Sequence, residues 1–130
     1  MSFDPSQKYK KTILLIEDED SLAEIIADEL TSAGYKVGKA RNGLEGLDMI
    51  NSLQPDLIIC DRAMPAMTGD ELLERLRGIY PQYRDIPFIF LTALTSAEDK
   101  DAVRHLTPAA YLDKPLDLDT LLETVKTHMT

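Results

Sequence analysis

The sequence predicts an α/β protein with a parallel sheet, because short apolar segments alternate with segments of helical periodicity along the chain. Three apolar runs, at residues 13–16, 57–60 and 88–91, lack the polar alternation of a half-exposed strand. Such runs are typical of strands that are buried on both faces beneath helices. Two less apolar segments, 36–40 and 109–112, are predicted to be edge strands.

Each predicted strand is followed by a segment with helical spacing of its apolar residues. The first helix is predicted to end near Gly34, the second before Pro55, and the third near Ile79. The fourth, from about residue 97 to 106, has the thinnest apolar face, and the fifth occupies about 118–129. Because crossovers between parallel strands are right-handed, five such units predict a doubly wound (βα)₅ fold.

Composition excludes several classes of protein. The 130 residues suit one domain, and their net charge of −9 argues against a nucleic-acid groove. One cysteine excludes a disulfide framework and a cysteine-built zinc site. No apolar run approaches the roughly 20 residues of a membrane span, and the N-terminus has no signal-peptide pattern. We therefore expect a cytoplasmic protein that binds neither membranes nor nucleic acid.

Polar residues follow the predicted strands, where open α/β sheets bind their ligands. Glu17 and Asp18 follow the first strand, Asp61 the third, Thr92 the fourth and Lys114 the fifth. Taken one by one, these residues are ordinary: an acidic helix start, a turn residue, a strand-end hydroxyl and a solvated lysine. Their occurrence at the same end of one sheet instead indicates a site.

The three carboxylates predict a bound cation. Two unit charges about 4 Å apart repel by roughly 4 kcal/mol at an effective dielectric constant near 20. Carboxylate oxygens without thiol or imidazole ligands favour a hard cation, Mg²⁺ first. A carboxylate beside a metal ion, a hydroxyl and an ammonium group is equipped for phosphoryl transfer, in which the carboxylate attacks and the cations neutralise the developing charge.

Four motifs extend this interpretation to about residues 12–129. They are ILLIEDED, IICDRAMPAMTGDELL, PFIFLTA and AAYLDKPLDLDTLL, in this order. Through them the sequence resembles the receiver domain of bacterial two-component response regulators. The resemblance implies the flavodoxin-like fold of the chemotaxis regulator, with strand order 2-1-3-4-5. One departure is Thr107-Pro108, which stands where a Gly-Ala turn usually precedes the last strand.

The resemblance implies a phosphorylation site with a metal ion. Asp61 matches the phosphoacceptor, and Glu17 and Asp18 match the acidic pair that binds Mg²⁺, with Mn²⁺ as an alternative ion. Asp61 itself and the backbone carbonyl of Ala63 would complete the protein ligands.

The resemblance also implies a switch. Thr92 matches the hydroxyl that follows the phosphoryl group, and Lys114 matches the lysine that pairs with a phosphoryl oxygen, before a cis bond to Pro115. Tyr111 matches the aromatic residue that turns inward on activation.

Two further positions modulate the lifetime of the phosphoryl group in this family. They correspond to Ala63 and Leu94, which offer no side-chain hydrogen bond to orient an attacking water. Both therefore predict slow self-dephosphorylation.

The partners implied by the resemblance are a sensor histidine kinase or a phosphotransfer protein as donor, and a downstream protein or output domain. A homodimer through the helix 4–strand 5–helix 5 face is also implied. The domain would catalyse only its own phosphorylation and dephosphorylation. We assign residues 12–130 to the receiver domain and residues 1–11 to a flexible N-terminal segment.

Two other hypotheses remain at this point. Asp18-Glu19-Asp20 imitates the D-x-D motif of haloacid-dehalogenase-type phosphatases, with Asp18 as nucleophile. This hypothesis leaves Asp61 without a role, and the chain is short for that fold. The other hypothesis is a pseudo-receiver scaffold that is never phosphorylated, although such domains usually lose the acidic pair or the lysine.

Overall fold

The five predicted strands form one parallel sheet in the order β2-β1-β3-β4-β5. The computed structural model describes residues 10–64, 66–93 and 96–129. The strands are β1 (Thr12–Ile16), β2 (Lys36–Ala40), β3 (Leu57–Asp61), β4 (Phe88–Thr92) and β5 (Ala110–Asp113). Each boundary lies within one residue of its prediction, and the two less apolar strands are at the edges, as predicted.

Each strand is followed by a helix, which confirms the (βα)₅ doubly wound, flavodoxin-like class. The helices are α1 (Asp20–Ser32), α2 (Gly43–Leu53), α3 (Gly69–Gly78), α4 (Ala97–Asp101) and α5 (Leu118–His128). Two 3₁₀ turns, Pro81–Tyr83 and Arg104–Leu106, precede β4 and β5. Within the described ranges, no helix is long and apolar enough to cross a membrane.

Alternate residues of the strands divide the core into two layers, because successive side chains of a strand point to opposite faces. One layer packs Leu14, Ile58 and Phe90 against apolar residues of α2 and α3. The other packs Ile13 and Ile59 with their strand neighbours against α1 and α5. The core therefore lies on both faces of the sheet, and the carboxyl-terminal edge is left for polar groups.

Helix α4 is shorter than the sequence predicted. The predicted helix extended to about residue 106, whereas α4 ends at Asp101 and a 3₁₀ turn begins at Arg104. Val103 and Leu106 are nevertheless buried, as their apolar character predicted, but the exposed Ala102 is not part of the core.

Hydrogen bonds explain this early ending. A continued α-helix would need the Val103 N–H to donate to the carbonyl of Asp99. The Val103 N–H donates instead to the Lys100 carbonyl, at 3.3 Å. The Asp99 carbonyl accepts from the guanidinium of Arg62 at 2.6 Å. A side chain from the end of β3 thus takes the acceptor that the next helical turn would have used.

The turn before β5 has a strained backbone that a neighbouring arginine supports. Thr107 has a φ of 53°, in the left-handed region that β-branched residues rarely adopt. Arg77 of α3 donates to the carbonyl of Leu106 at 3.0 Å and to that of Arg84 at 2.7 Å. The unusual Thr107-Pro108 sequence is therefore accommodated by contacts from another element.

Candidate phosphoryl-transfer site

The structure places the five predicted polar residues at the carboxyl-terminal edge of the sheet. Glu17 and Asp18 follow β1, Asp61 ends β3, Thr92 ends β4 and Lys114 follows β5. Since all five strands are parallel, their carboxyl ends meet at this edge. The convergence that was predicted from the polar residues after each strand is therefore present in the fold.

Glu17, Asp18 and Asp61 form an acidic cluster. One carboxylate oxygen from each residue lies within 4.8 Å of the other two. Glu17 is 1% exposed and Asp61 is 5% exposed, whereas Asp18 is exposed to solvent. Two of the three charges are thus held away from water, where their mutual repulsion is least screened.

Lys114 supplies a positive charge to this cluster. Its Nζ donates a hydrogen bond to Asp61 Oδ2 at 2.9 Å and lies 3.1 Å from Glu17 Oε1. Burial lowers the pKa of Lys114, but the hydrogen bond to Asp61 and the charge of Glu17 outweigh this effect, so the pKa is raised. Lys114 therefore stays protonated and is shared between two buried carboxylates. The Lys114–Pro115 peptide bond is cis, in agreement with the resemblance.

The surroundings of Glu17 change the pKa of its carboxyl group. Burial raises the pKa of Glu17 to about 7, opposed by the Glu19 backbone N–H and by Lys114, and reinforced by the charge of Asp61. The Glu19 N–H donates to Oε2 at 3.1 Å. Oε1 accepts no hydrogen bond from any described residue, and its contact with Lys114 is an ion pair only.

This geometry fits a divalent cation. A buried carboxylate oxygen without a hydrogen-bond donor is costly, and a hard cation would coordinate Glu17 Oε1 while neutralising the neighbouring carboxylates. The cluster offers oxygen ligands from Glu17, Asp18 and Asp61, which suits Mg²⁺ or Mn²⁺.

The loop after β3 holds Asp61 in place. Its Oδ1 accepts a hydrogen bond from the Ala63 N–H at 3.0 Å, so both carboxylate oxygens have donors. Gly69, at the start of α3, lies so close to this loop that a Cβ there would be 2.6 Å from the Asp61 carbonyl oxygen. The absence of a side chain at Gly69 thus lets α3 approach the site.

Thr92 and Tyr111 lie on the adjacent strands β4 and β5, where the register pairs Thr92 with Asp113 and Tyr111 with Phe90. Thr92 is 1% exposed, and its carbonyl accepts from the Lys114 N–H at 2.9 Å. Tyr111 is half-buried, its ring stacks on Phe90 with centroids 5.9 Å apart, and its hydroxyl donates to the Lys100 carbonyl at 3.2 Å. Tyr111 therefore contacts α4 directly.

Ala63 and Leu94 are the two positions predicted to affect the phosphoryl lifetime. Ala63 is exposed beside Asp61. Leu94 lies outside the described residues. The effect of both on the phosphoryl lifetime, and the role of the Ala63 carbonyl as a ligand, stay predictions.

Arg62 is a residue near the site that sequence reasoning missed. It directly follows Asp61, is 6% exposed, and pairs with Asp70 at 2.8 Å. A single charged residue in a loop carries no periodicity that would mark it as buried. The available signal was an arginine directly after a buried strand, with an aspartate eight positions later at a helix start.

The fold and the cluster together define a class of α/β signalling domains, with carboxylates and a lysine at the carboxyl edge of a 2-1-3-4-5 sheet. Residues 13–126 match the model of the response regulator receiver domain. The polar-differentiation response regulator DivK of Brucella anthropi is 31% identical over 92% of this chain and 96% of its own length.

Solved structures agree with this match. The Vibrio cholerae chemotaxis protein CheY4 aligns with a TM-score of 0.85 and 33% identity, covering 91% of this chain and 98% of that one. The receiver domain of a signal transduction histidine kinase from Syntrophus aciditrophicus aligns with a TM-score of 0.84 and 34% identity, covering 92% and 89% of the two chains.

The chain belongs to the response regulator receiver domain family. It is a phosphoacceptor signalling domain of two-component systems and not a classical enzyme. Membership implies interaction with histidine kinases or phosphotransfer proteins, and receiver domains bind Mg²⁺ at an acidic pocket. It also favours the receiver hypothesis over the haloacid-dehalogenase alternative.

Proposed function

We propose that Asp61 accepts a phosphoryl group from a phosphohistidine and that the modified domain changes its affinity for a downstream partner. The observation that carries this proposal is the hydrogen bond of 2.9 Å from Lys114 Nζ to Asp61 Oδ2 inside an acidic cluster. Lys114 lies within ion-pair distance of Asp61 and Glu17. Among the described residues, it forms no ion pair with Asp18. Asp61, unlike Asp18, is thus buried beside a positive partner, and, unlike Glu17, it accepts a hydrogen bond on each of its two carboxylate oxygens.

The proposed reaction is a phosphoryl transfer in which Asp61 is the nucleophile. A carboxylate oxygen of Asp61 attacks phosphorus, the P–N bond to the donor histidine breaks, and the electron pair returns to the imidazole nitrogen. The Lys114 ammonium stabilises the negative charge that develops on the phosphoryl oxygens. The Ala63 N–H and Lys114 orient the attacking carboxylate before the donor arrives.

Glu17, Asp18 and Asp61 would hold Mg²⁺, or Mn²⁺, with the Ala63 carbonyl as a further ligand. When bound, the cation neutralises charge that Lys114 alone cannot balance. Glu17 and Asp18 keep this role only while ionised, and the shift in the Glu17 pKa toward 7 ties that ionisation to the presence of a cation.

The proposed switch requires more than one contact. A hydrogen bond to a charged acceptor contributes about 1.5–3 kcal/mol. Moving a two-state equilibrium from 1:99 to 99:1 needs about 5.5 kcal/mol. Thr92 alone therefore cannot drive full activation. The pairing of Lys114 with the phosphoryl group and the repacking of Tyr111 supply the rest of this free energy.

The remaining assignments belong to the same proposal. The donor is a sensor histidine kinase or a phosphotransfer protein, and the readout is a downstream protein, an output domain or a homodimer through the α4–β5–α5 face. The domain catalyses its own phosphorylation and dephosphorylation and acts in the cytoplasm. Its proposed extent is 12–130. The N-terminal segment 1–11 lies outside the described residues except for Lys10 and Lys11.

The test is to incubate the protein with acetyl phosphate and Mg²⁺ and to map the modified residue by mass spectrometry. We expect the phosphoryl group on Asp61, and none in Asp61→Asn. Asp113→Asn, which removes an exposed strand-end carboxylate, is the matched control and should be modified like the wild type. Modification of Asp18 would support the phosphatase hypothesis, and no modification of any residue would support a pseudo-receiver.

A further inference from the structure

Arg62 joins the phosphoacceptor strand to two helices. Its backbone is fixed on both sides: the N–H donates to the Leu91 carbonyl at 3.2 Å, and the carbonyl accepts from the Gly69 N–H at 2.9 Å. The side chain is almost completely buried. A buried guanidinium is costly unless its donors are paired, so its partners determine where it lies.

Those partners are on α3 and α4. Nε donates to Asp70 Oδ1 in the first turn of α3 at 2.8 Å, and a terminal nitrogen donates to the Asp99 carbonyl of α4 at 2.6 Å. The guanidinium carbon lies 5.8 Å from the centre of the Phe90 ring. Arg62 therefore connects the end of β3 to α4, with Asp70 as its charge partner.

Tyr111 holds the adjacent carbonyl of the same helix. Its hydroxyl donates to the Lys100 carbonyl, directly after the Asp99 carbonyl that Arg62 holds. Both side chains also contact Phe90. Consecutive carbonyls of α4 are thus fixed by one residue next to Asp61 and by one residue of β5.

We propose that Arg62 is a positioning residue that holds α4 in the unmodified protein and transmits to α4 the change at Asp61. The inference rests on the proposed function, because the change in question is phosphorylation. Asp61 and Arg62 share a peptide bond, so a shift of the modified Asp61 displaces the base of the Arg62 side chain. Since α4 has five residues and few internal hydrogen bonds, it moves with the guanidinium or loses the bond to it.

The test is hydrogen exchange across residues 96–107, with and without acetyl phosphate and Mg²⁺, in the wild type and in Arg62→Met. A hydrogen bond to a charged donor corresponds to about a tenfold to hundredfold change in a local opening equilibrium. We expect exchange in unmodified Arg62→Met to be faster by about tenfold or more in this segment. We also expect the change on phosphorylation to be lost, while Asp61 is still modified.

Three further variants keep the test specific. Arg104→Met removes an exposed arginine from the same segment and should behave like the wild type. Arg62→Lys keeps a positive charge but lacks the planar fork that reaches Asp70 and Asp99 together, so it should lose most of the coupling. Asp70→Asn keeps the arginine and weakens its anchor, so it should show an intermediate effect even if Arg62→Met does not fold.

Two results would overturn the inference. One is a wild-type response of residues 96–107 to phosphorylation in both Arg62 variants. The other is faster exchange spread evenly over the chain, which is what a purely structural arginine would give. If the wild type is not phosphorylated on Asp61, the proposed function fails instead, and the comparison of unmodified proteins still tests whether Arg62 holds α4.

Discussion

The ionisation of Glu17 depends strongly on the fold. Its pKa is raised from 4.5 to about 7 in the folded protein, chiefly by burial. Between these two pH values the folded state therefore binds more protons than the unfolded state. By proton linkage, this group stabilises the metal-free fold toward pH 4.5 and loses that contribution as the pH rises through about 7.

We predict that replacing Glu17 by Gln flattens this dependence. One proton contributes at most about 1.4 kcal/mol per pH unit, so the difference in unfolding free energy between the two proteins should change by less than that for each pH unit. Denaturant unfolding from pH 4.5 to 8 in a chelating buffer measures it. Parallel pH profiles for the wild type and Glu17→Gln would contradict the assignment.

The exposed Ala63 and the position of Leu94 lead to a prediction about the phosphoryl lifetime. Side chains that orient a water for hydrolysis typically accelerate it about 10²–10⁴-fold, and neither residue has a polar group to do so. Ala63→Asn combined with Leu94→Glu should shorten the lifetime of phosphorylated Asp61 by about 10²-fold, which is the lower end of that range.

The measurement is the decay of the modified protein after the phosphate donor is removed. Ala102→Asn, at another exposed alanine, is the control and should decay like the wild type. Equally fast decay in the wild type and in the doubly polar variant would contradict the prediction.

The sequence predicted the location of those site residues that lie at the carboxyl ends of strands. Glu17, Asp18, Asp61 and Lys114 each follow a strand, and the parallel sheet alone brings strand ends together. Arg62 was not predictable in this way, because its burial depends on acceptors from α3 and α4 that only the folded chain brings within reach.

Strands were predicted more accurately than the fourth helix, for a physical reason. Unbroken apolar runs identify strands that are buried on both faces, whatever their partners. The length of α4 instead depends on which donor reaches the Asp99 carbonyl, and that donor is a distant side chain. Helical periodicity correctly marked Val103 and Leu106 as buried, but it could not predict this competition.

The segment between α4 and β5 depends on Arg77 of α3. The guanidinium donates to carbonyls of Leu106, Thr107, Arg84 and Ile86. Burial removes the Arg77 charge partly from water and lowers its pKa, and the nearby charge of Asp85 opposes this shift. Arg77 thus connects the segment before β4 with the segment before β5.

We predict that Arg77→Met destabilises the protein by about 1–3 kcal/mol, because carbonyls that are partly buried lose their donor. Arg75→Met removes an exposed arginine from the same helix and should change stability by less than about 0.5 kcal/mol. Denaturant unfolding of the two variants compares them. Equal stabilities would mean that water replaces the Arg77 contacts at no cost.

The acidic cluster affects the stability of the whole molecule. Mg²⁺ should raise the unfolding free energy by about 2.7 kcal/mol at 100 times its Kd, because the ion binds the folded state and not the unfolded one. Asp18→Asn removes one of the three charges, so we expect it to raise the metal-free melting temperature and to weaken the response to Mg²⁺ strongly.

Thermal unfolding at a series of Mg²⁺ concentrations checks this prediction. Asp113→Asn lies outside the cluster and should keep the wild-type response. An unchanged Mg²⁺ dependence in Asp18→Asn would remove Asp18 from the site.

The site draws its charged groups from residue 17 near the start of the sheet and residue 114 after its last strand. Asp61 therefore has its lysine only after β5 has joined the sheet. During synthesis on the ribosome, a nascent chain that has exposed β3 but not β5 presents the aspartate without Lys114. Such chains should be poor substrates for a phosphoryl donor, so that signal is received only by molecules in which β5 has joined the sheet.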